Sequence, residues 1–259
     1  GALALRFWIS GLLAVIIAVI MGHSWRLTRA QWRATFVFGI CQNALYLGLN
    51  FVAMQTVQAS VAAIVASTMP LIVAIATWLW TRERQRPLGV IGIMGGIAGV
   101  ALIMGARIQG GIDLFGLMLC VLGVLSLSVA TLAVRGATSG GSYMMVVGLQ
   151  MIIGSAALWP VSLATENLSE IAWSTQLVLA FAYTTLIPGL AATLVWVVLV
   201  NRIGAVRAAT FHFLNPFFGV AIAAVLLNER LGALDLVGVG VITLGILAVQ
   251  LSRAPGRAG

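Results

Sequence analysis

Nine runs of about 20 mostly apolar residues follow one another along the chain, separated by short gaps. They are residues 4–22, 34–54, 59–80, 88–106, 114–134, 143–163, 176–200, 208–227 and 236–251. A helix of that length crosses the hydrocarbon core of a bilayer, about 30 Å thick. The runs are continuous rather than alternating, which excludes strands that span as a barrel. Composition agrees: 61% of the 259 residues are hydrophobic and only 8% are charged. So few charges cannot clothe a soluble fold of this size, and most of the surface is expected to face lipid. The first run is followed by no small-residue cleavage site, so no signal peptide is expected.

The net charge of +8 comes from arginine alone, with no lysine. A nucleic-acid binder would gather that charge on one solvated face. Here it falls in the gaps between runs, and alternate gaps divide it sharply. One set holds eleven arginines: Arg26, Arg29, Arg33, Arg82, Arg84, Arg86, Arg135, Arg202, Arg207, Arg253 and Arg257, with Glu83 as its only acid. The other holds Arg6, Arg107 and Arg230 against the acids Asp113, Glu166, Glu170, Glu229 and Asp235. By the positive-inside rule the first set is cytoplasmic, which puts the C-terminus there too.

The chain also repeats itself. At an offset of 146, residues 61–99 align without gaps on 207–245. Ala62, Ala63, Pro70, Glu83, Arg84, Leu88, Gly92 and Gly99 match Ala208, Ala209, Pro216, Glu229, Arg230, Leu234, Gly238 and Gly245. Glu83 and Glu229 fall on opposite sides of the membrane by the arginine count, so the copies are expected to have inverted topology. Inverted repeats place a substrate site near the midplane of secondary transporters. The second copy, 107–259, fits five helices and the first, 1–106, shows four. One helix is therefore expected ahead of the first run.

The duplicated pattern resembles the EamA domain of the drug/metabolite transporter superfamily. The residues that carry it are "ALRFWISG", "NFVAMQTVQASVAAIVASTMPLIVAIATWLWTRERQ" and "WVVLVNRIGAVRAATFHFLNPFFGVAIAAVLLNERL". In both copies a stretch of small residues leads to a proline, and an acid follows thirteen residues later. The resemblance implies an all-α membrane protein of ten helices in two inverted five-helix halves, around a central cavity. It implies export or exchange of small metabolites, often amino acids. The "ALRF" segment looks like the family's second helix, in agreement with the four-helix first copy.

Polar residues within membrane spans are costly and mark cavities or partner helices. Gln42, Asn43, Tyr46 and Asn50 fall within an arc of about 100° on an α-helix. They form either a cavity wall or a packing face bonded through amides. Thr68, beside Ser67, and Ser128, between Ser126 and Thr131, are weaker candidates, because small hydroxyls often bond their own helix. Tyr183 and Trp196 are candidates on the seventh run, where Pro188 and Gly189 suggest a hinge. On the eighth run His212 and Asn215 share a face just before Pro216, a second hinge candidate. Pro216 has its partner in Pro70, whereas His212 and Asn215 face Ala66 and Met69 in the other copy. The asymmetry makes those two the more specific contacts. Gly92, Gly95, Gly96 and Gly99 read as a helix-packing pattern, echoed by Gly238 and Gly245.

No Asp, Glu or Lys lies within the runs, which disfavours anionic substrates such as nucleotide sugars and a carboxylate-based cation pump. A neutral or zwitterionic solute with an apolar part suits amides, hydroxyls and aromatics. Only His23 and His212 are present, with no HExxH or GxSxG motif, so an enzyme is not expected. Cys41 and Cys120 suggest buried free thiols, with neither a metal site nor a cofactor. The leading expectation is a secondary exporter of amino acids or similar metabolites in a bacterial inner membrane, its partners a small-molecule substrate and the lipid bilayer. A multidrug exporter is the alternative within transport, and a non-transporting scaffold the alternative outside it. The sequence leaves the oligomeric state open, a monomer included.

Overall fold

The structure is a computed structural model that describes residues 1–81, 87–109, 113–140, 142–166, 174–213, 222 and 232–252. Among these residues every regular element is a helix. Helix α1 is Ala2–Ile20, and α2 (Arg29–Gly39) continues through a π-helical stretch, Ile40–Leu47, into α3 (Gly48–Ala53). Then come α4 (Ala59–Ala66), α5 (Met69–Thr81), α6 (Pro87–Gln109), α7 (Leu114–Ala137) and α8 (Tyr143–Thr165). Helix α9 (Thr175–Thr184) runs through a second π-helical stretch, Thr185–Ala191, into α10 (Ala192–Ile203). Helix α11 (Ala205–Ala209), a 3₁₀ turn (Thr210–Phe213) and α12 (Ala233–Ser252) complete the order.

Six of these helical stretches are long and apolar enough to cross a membrane: Ala2–Ile20, Arg29–Ala53, Val61–Leu79, Leu114–Ala137, Tyr143–Thr165 and Thr175–Ile203. Pro87–Gly99 and Leu236–Val249 are shorter apolar helices. Eight of the nine apolar runs thus coincide with helices, and most of the ninth, 208–227, lies outside the described residues.

Local signals explain the ends. Helix α2 opens on a capping box, in which the Thr28 hydroxyl accepts the Gln31 N–H and the Gln31 side chain accepts the Thr28 N–H. Helix α9 opens on Ser174, whose hydroxyl accepts the Leu177 N–H at 3.1 Å. Gly204, at φ 88°, turns the chain out of α10 in a conformation that favours glycine.

The repeat is visible in these boundaries. Starts at Arg29, Ala59 and Pro87 recur at Thr175, Ala205 and Ala233, each 146 residues on. The caps Thr28 and Ser174 keep the same spacing. Shifted by 146, the first π stretch covers 186–193 and overlaps the second almost fully. The duplication therefore extends back from residue 61, where sequence identity first shows it, to residue 28.

The chain forms two compact units. The first comprises Gly1–Gly48 and Val129–Ala205, the second Leu49–Ser128 and Val206–Gly259. Each takes helices from both copies, so these spatial units are groupings of another kind than the sequence halves 1–106 and 107–259.

In the first unit α1 buries a stripe of Ala4, Phe7, Gly11, Ala14 and Ala18, at alternating spacings of three and four. This stripe packs on α8, antiparallel, with Gly11 against Gly148 and Ala4 against Ser155. In the second unit α6 and α12 run antiparallel with their backbones in contact. A methyl group on Gly92 would lie 2.3 Å from the Gly245 carbonyl oxygen, and one on Gly99 would lie 3.0 Å from that of Gly238. Adding 146 to Gly92 and Gly99 gives Gly238 and Gly245, so the repeat exchanges the two contacts. Gly96 packs against Leu71 of α5. The glycine pattern is a packing seam, as small residues are in membranes.

Candidate functional site

The first unit gathers buried polar groups around α8. Asn43, 1% exposed in the first π stretch, reaches α8 with its Nδ2 group. Nδ2 donates to the Gln150 side-chain oxygen Oε1 at 2.6 Å and to the Gln150 main-chain carbonyl at 3.2 Å. A main-chain carbonyl only accepts, so this second bond fixes which end of the Asn43 amide is nitrogen. Asn43 Oδ1 and Gln150 Nε2 then remain, both buried and without a protein partner. Gln42 Oε1 and Thr35 Oγ1 on the same segment are buried without partners too. A buried unpaired amide or hydroxyl costs roughly 1–3 kcal/mol, so a water or a solute group would find partners at these atoms.

Close backbone contact makes the pair possible. A methyl group on Gly39 would lie 2.4 Å from the Gln150 carbonyl oxygen, and one on Gly154 would lie 2.4 Å from Asn43 Cβ. The two glycines bring the π stretch against α8, within reach of a short asparagine side chain.

The second π stretch has a different cause. Pro188 has no N–H, so the Thr184 carbonyl loses its ordinary α-helical donor. The chain takes the wider turn, and the Thr185 carbonyl accepts the buried Ser10 hydroxyl of α1 at 2.9 Å. Gly189 is buried beside this bond. Ser155 Oγ donates to the Ala4 carbonyl at 2.7 Å, and Thr138 Oγ1 donates to Asn201 Oδ1 at 2.9 Å. Interhelical side-chain bonds thus tie this unit together.

The four residues of the expected stripe differ in burial. Gln42 and Asn43 are buried, while Tyr46 and Asn50 are half-buried. The stripe assumed 100° per residue, and the wider π turn resets the faces beyond residue 40. Asn50 belongs to the segment of the second unit. Tyr183 is 62% exposed and Trp196 half-buried. In the second unit Thr68 and Ser128 donate to the carbonyls of Val65 and Val124 on their own helices. His212 is half-buried in the 3₁₀ turn. Asn215 and Pro216 lie outside the described residues, as do Glu83, Arg84, Glu229 and Arg230.

Gln150, Ser10, Ser155 and Thr35 were not among the sequence candidates. Arg6 needs a correction: counted with a loop, it sits inside α1, half-buried, with its Nε buried and unpartnered. One fixed cation therefore belongs to a span. Cys120 is a buried free thiol, whereas Cys41 is only half-buried. Among the described residues no group of three His, Cys, Asp or Glu side chains gathers as a metal site would require.

Long apolar helices in repeat-matched positions define a multi-pass membrane protein. A family model described as the EamA-like transporter family matches residues 1–105 and 114–251, and the chain belongs to that family. It is 28% identical over 246 residues to the uncharacterized transporter YvbV of Bacillus subtilis, covering 95% of this chain and 80% of that one. It is 25% identical over 237 residues to protein PecM of Dickeya dadantii, covering 90% and 78%. An uncharacterized transporter of Archaeoglobus fulgidus is 23% identical over 256 residues, covering 96% and 88%. One solved crystal structure shares the fold at a TM-score of 0.72 and 21% identity, covering 96% of this chain and 86% of its own.

Proposed function

We propose that this membrane transporter exports amino acids or similar small neutral or zwitterionic metabolites. The setting is a bacterial inner membrane with the C-terminus cytoplasmic, as the arginine distribution argues. The observation that carries the reading is the buried amide cluster of Gln42, Asn43 and Gln150 in the first unit. Amides accept and donate without fixed charge, which matches a solute of no net charge. Broken helices that free main-chain carbonyls are how transporters of this kind line a midplane site, and two π stretches supply such breaks here. Pro188 and Gly189 are the proposed hinge of the first unit, and Pro216 remains a proposal for the eighth run. Tyr46, Asn50, Trp196 and His212 stand as further proposed contacts.

Uptake and counterflow of labelled solutes in proteoliposomes test this directly. The panel is a set of amino acids, a lipophilic cation and a nucleotide sugar, with and without a pH gradient. Amino acids should exchange. Movement of the lipophilic cation alone would favour a multidrug exporter, and a folded protein that moves nothing would end the transport reading.

A further inference from the structure

The two π stretches occupy matching positions, yet only one carries amides. Gln42 and Asn43 correspond by the 146 offset to Pro188 and Gly189. The second copy reaches the same local geometry without a polar side chain at either position. Pro188 sets that second stretch, whereas the first has its amide pair against α8, and the bond between the two amides uses only part of their polar atoms. What remains after their mutual bond is also informative. Asn43 Oδ1 is a free acceptor and Gln150 Nε2 a free donor, borne on side chains joined by a 2.6 Å bond. Gln42 Oε1 adds a second free acceptor on the same segment.

We propose that Asn43 Oδ1 and Gln150 Nε2 form a two-point polar subsite for a solute that carries an N–H donor beside a carboxylate or carbonyl acceptor, as an α-amino acid does. The solute's ammonium donates to Asn43 Oδ1, aided by Gln42 Oε1, and its carboxylate accepts from Gln150 Nε2. A simple amine or a simple carboxylate would satisfy one point and leave the other buried and unpaired. Sites of that kind reject the incomplete analogue. Gln150 becomes a specificity residue and its helix α8 a wall of the substrate path. The proposal rests on the amino-acid reading above and names the part of the solute that the first unit holds.

The test uses the intact protein in proteoliposomes with three labelled probes: L-phenylalanine, phenethylamine and 3-phenylpropionate. The wild type should transport the first and discriminate against the other two. Gln150→Glu keeps the acceptor for Asn43 and replaces only the free donor, so KM for L-phenylalanine should rise about tenfold or more, the scale of one hydrogen bond to a charged group. Gln150→Met keeps the volume, removes the whole amide and should flatten the discrimination among the probes. Size-exclusion profiles and thermal midpoints identify any variant that fails to fold, and either variant suffices alone. If the wild type carries L-phenylalanine and a folded Gln150 variant keeps its KM and discrimination within twofold, the subsite is wrong while the amino-acid reading stands. If the wild type carries none of the amino acids tested, both fall.

Discussion

The two compact units both bring backbones together through glycine, but they differ in where many of their hydroxyls bond. In the first, polar side chains cross between helices: Ser155 to Ala4, Ser10 to Thr185, Asn43 to Gln150 and Thr138 to Asn201. In the second, the hydroxyls of Ser67, Thr68, Ser126, Ser128, Thr243 and Ser252 bond back to their own helices, and the backbones meet through glycine. A dry glycine seam holds helices at a fixed distance and leaves nothing for a solute to bind. A wet interface can trade its own bonds for those of a solute. The difference marks α6 with α12 as a packing seam and is consistent with the subsite proposed on α8.

The contrast can be broken in four places, taken from the largest expected effect downward. Gly92→Leu drives a side chain into the Gly245 backbone and should destabilise the second unit by about 3 kcal/mol, seen as loss of a monodisperse peak and a lowered thermal midpoint. A stable Gly92→Leu protein would mean the seam is looser than drawn. Pro188→Ala restores the N–H that the Thr184 carbonyl lacks, so the second π stretch should tighten to α-helix. The thermal midpoint should then rise while turnover slows, by the usual trade of flexibility for stability. Unchanged turnover would remove the hinge assignment.

Next comes a matched pair of hydroxyl deletions. Ser155→Ala breaks a bond between helices and should cost about 0.6 kcal/mol, at most about 1.7. Ser128→Ala breaks a bond within one helix and should cost close to nothing. Equal costs would dissolve the contrast between the units. The smallest effect concerns Asp113, whose carboxylate accepts from Thr56 at 2.5 Å and from the N–H groups of Gly116 and Phe115. The Thr56 hydroxyl, then these amides, hold its pKa below the ordinary value. A depressed acid stabilises the fold above its unfolded pKa of about 4 and loses that contribution as pH falls through the folded value. Asp113→Asn should therefore flatten the acid limb of a thermal-midpoint profile, leaving the neutral region nearly unchanged.

Much of this architecture is legible in the sequence, for identifiable reasons. Span positions follow from apolar run length, because lipid forces every backbone polar group into a helix. The packing role of Gly92 and Gly99 follows from small-residue spacing. The first π stretch is not legible: residues 40–47 contain neither proline nor glycine, and the interruption coincides with packing on α8, whose Gln150 lies 107 residues from Asn43. Gln150 escapes for a related reason. A lone amide in an apolar helix makes no stripe, and only its contact with Asn43 gives it meaning. Arg6 shows the converse: a count of charges by gaps treats it as a loop residue, although it falls within the run 4–22 and sits inside α1.

The constant offset of 146 has one more consequence. The intervals between matched helix starts, 29 to 59 to 87 and 175 to 205 to 233, are equal in both copies. The connectors have kept their lengths in step, and the copies differ along this stretch by substitution alone. Every position from 29 to 99 thus carries its own internal control, found by simple addition. A residue can be exchanged with its counterpart in one molecule, at unaltered chain length, and the two placements of a single side chain weighed against each other.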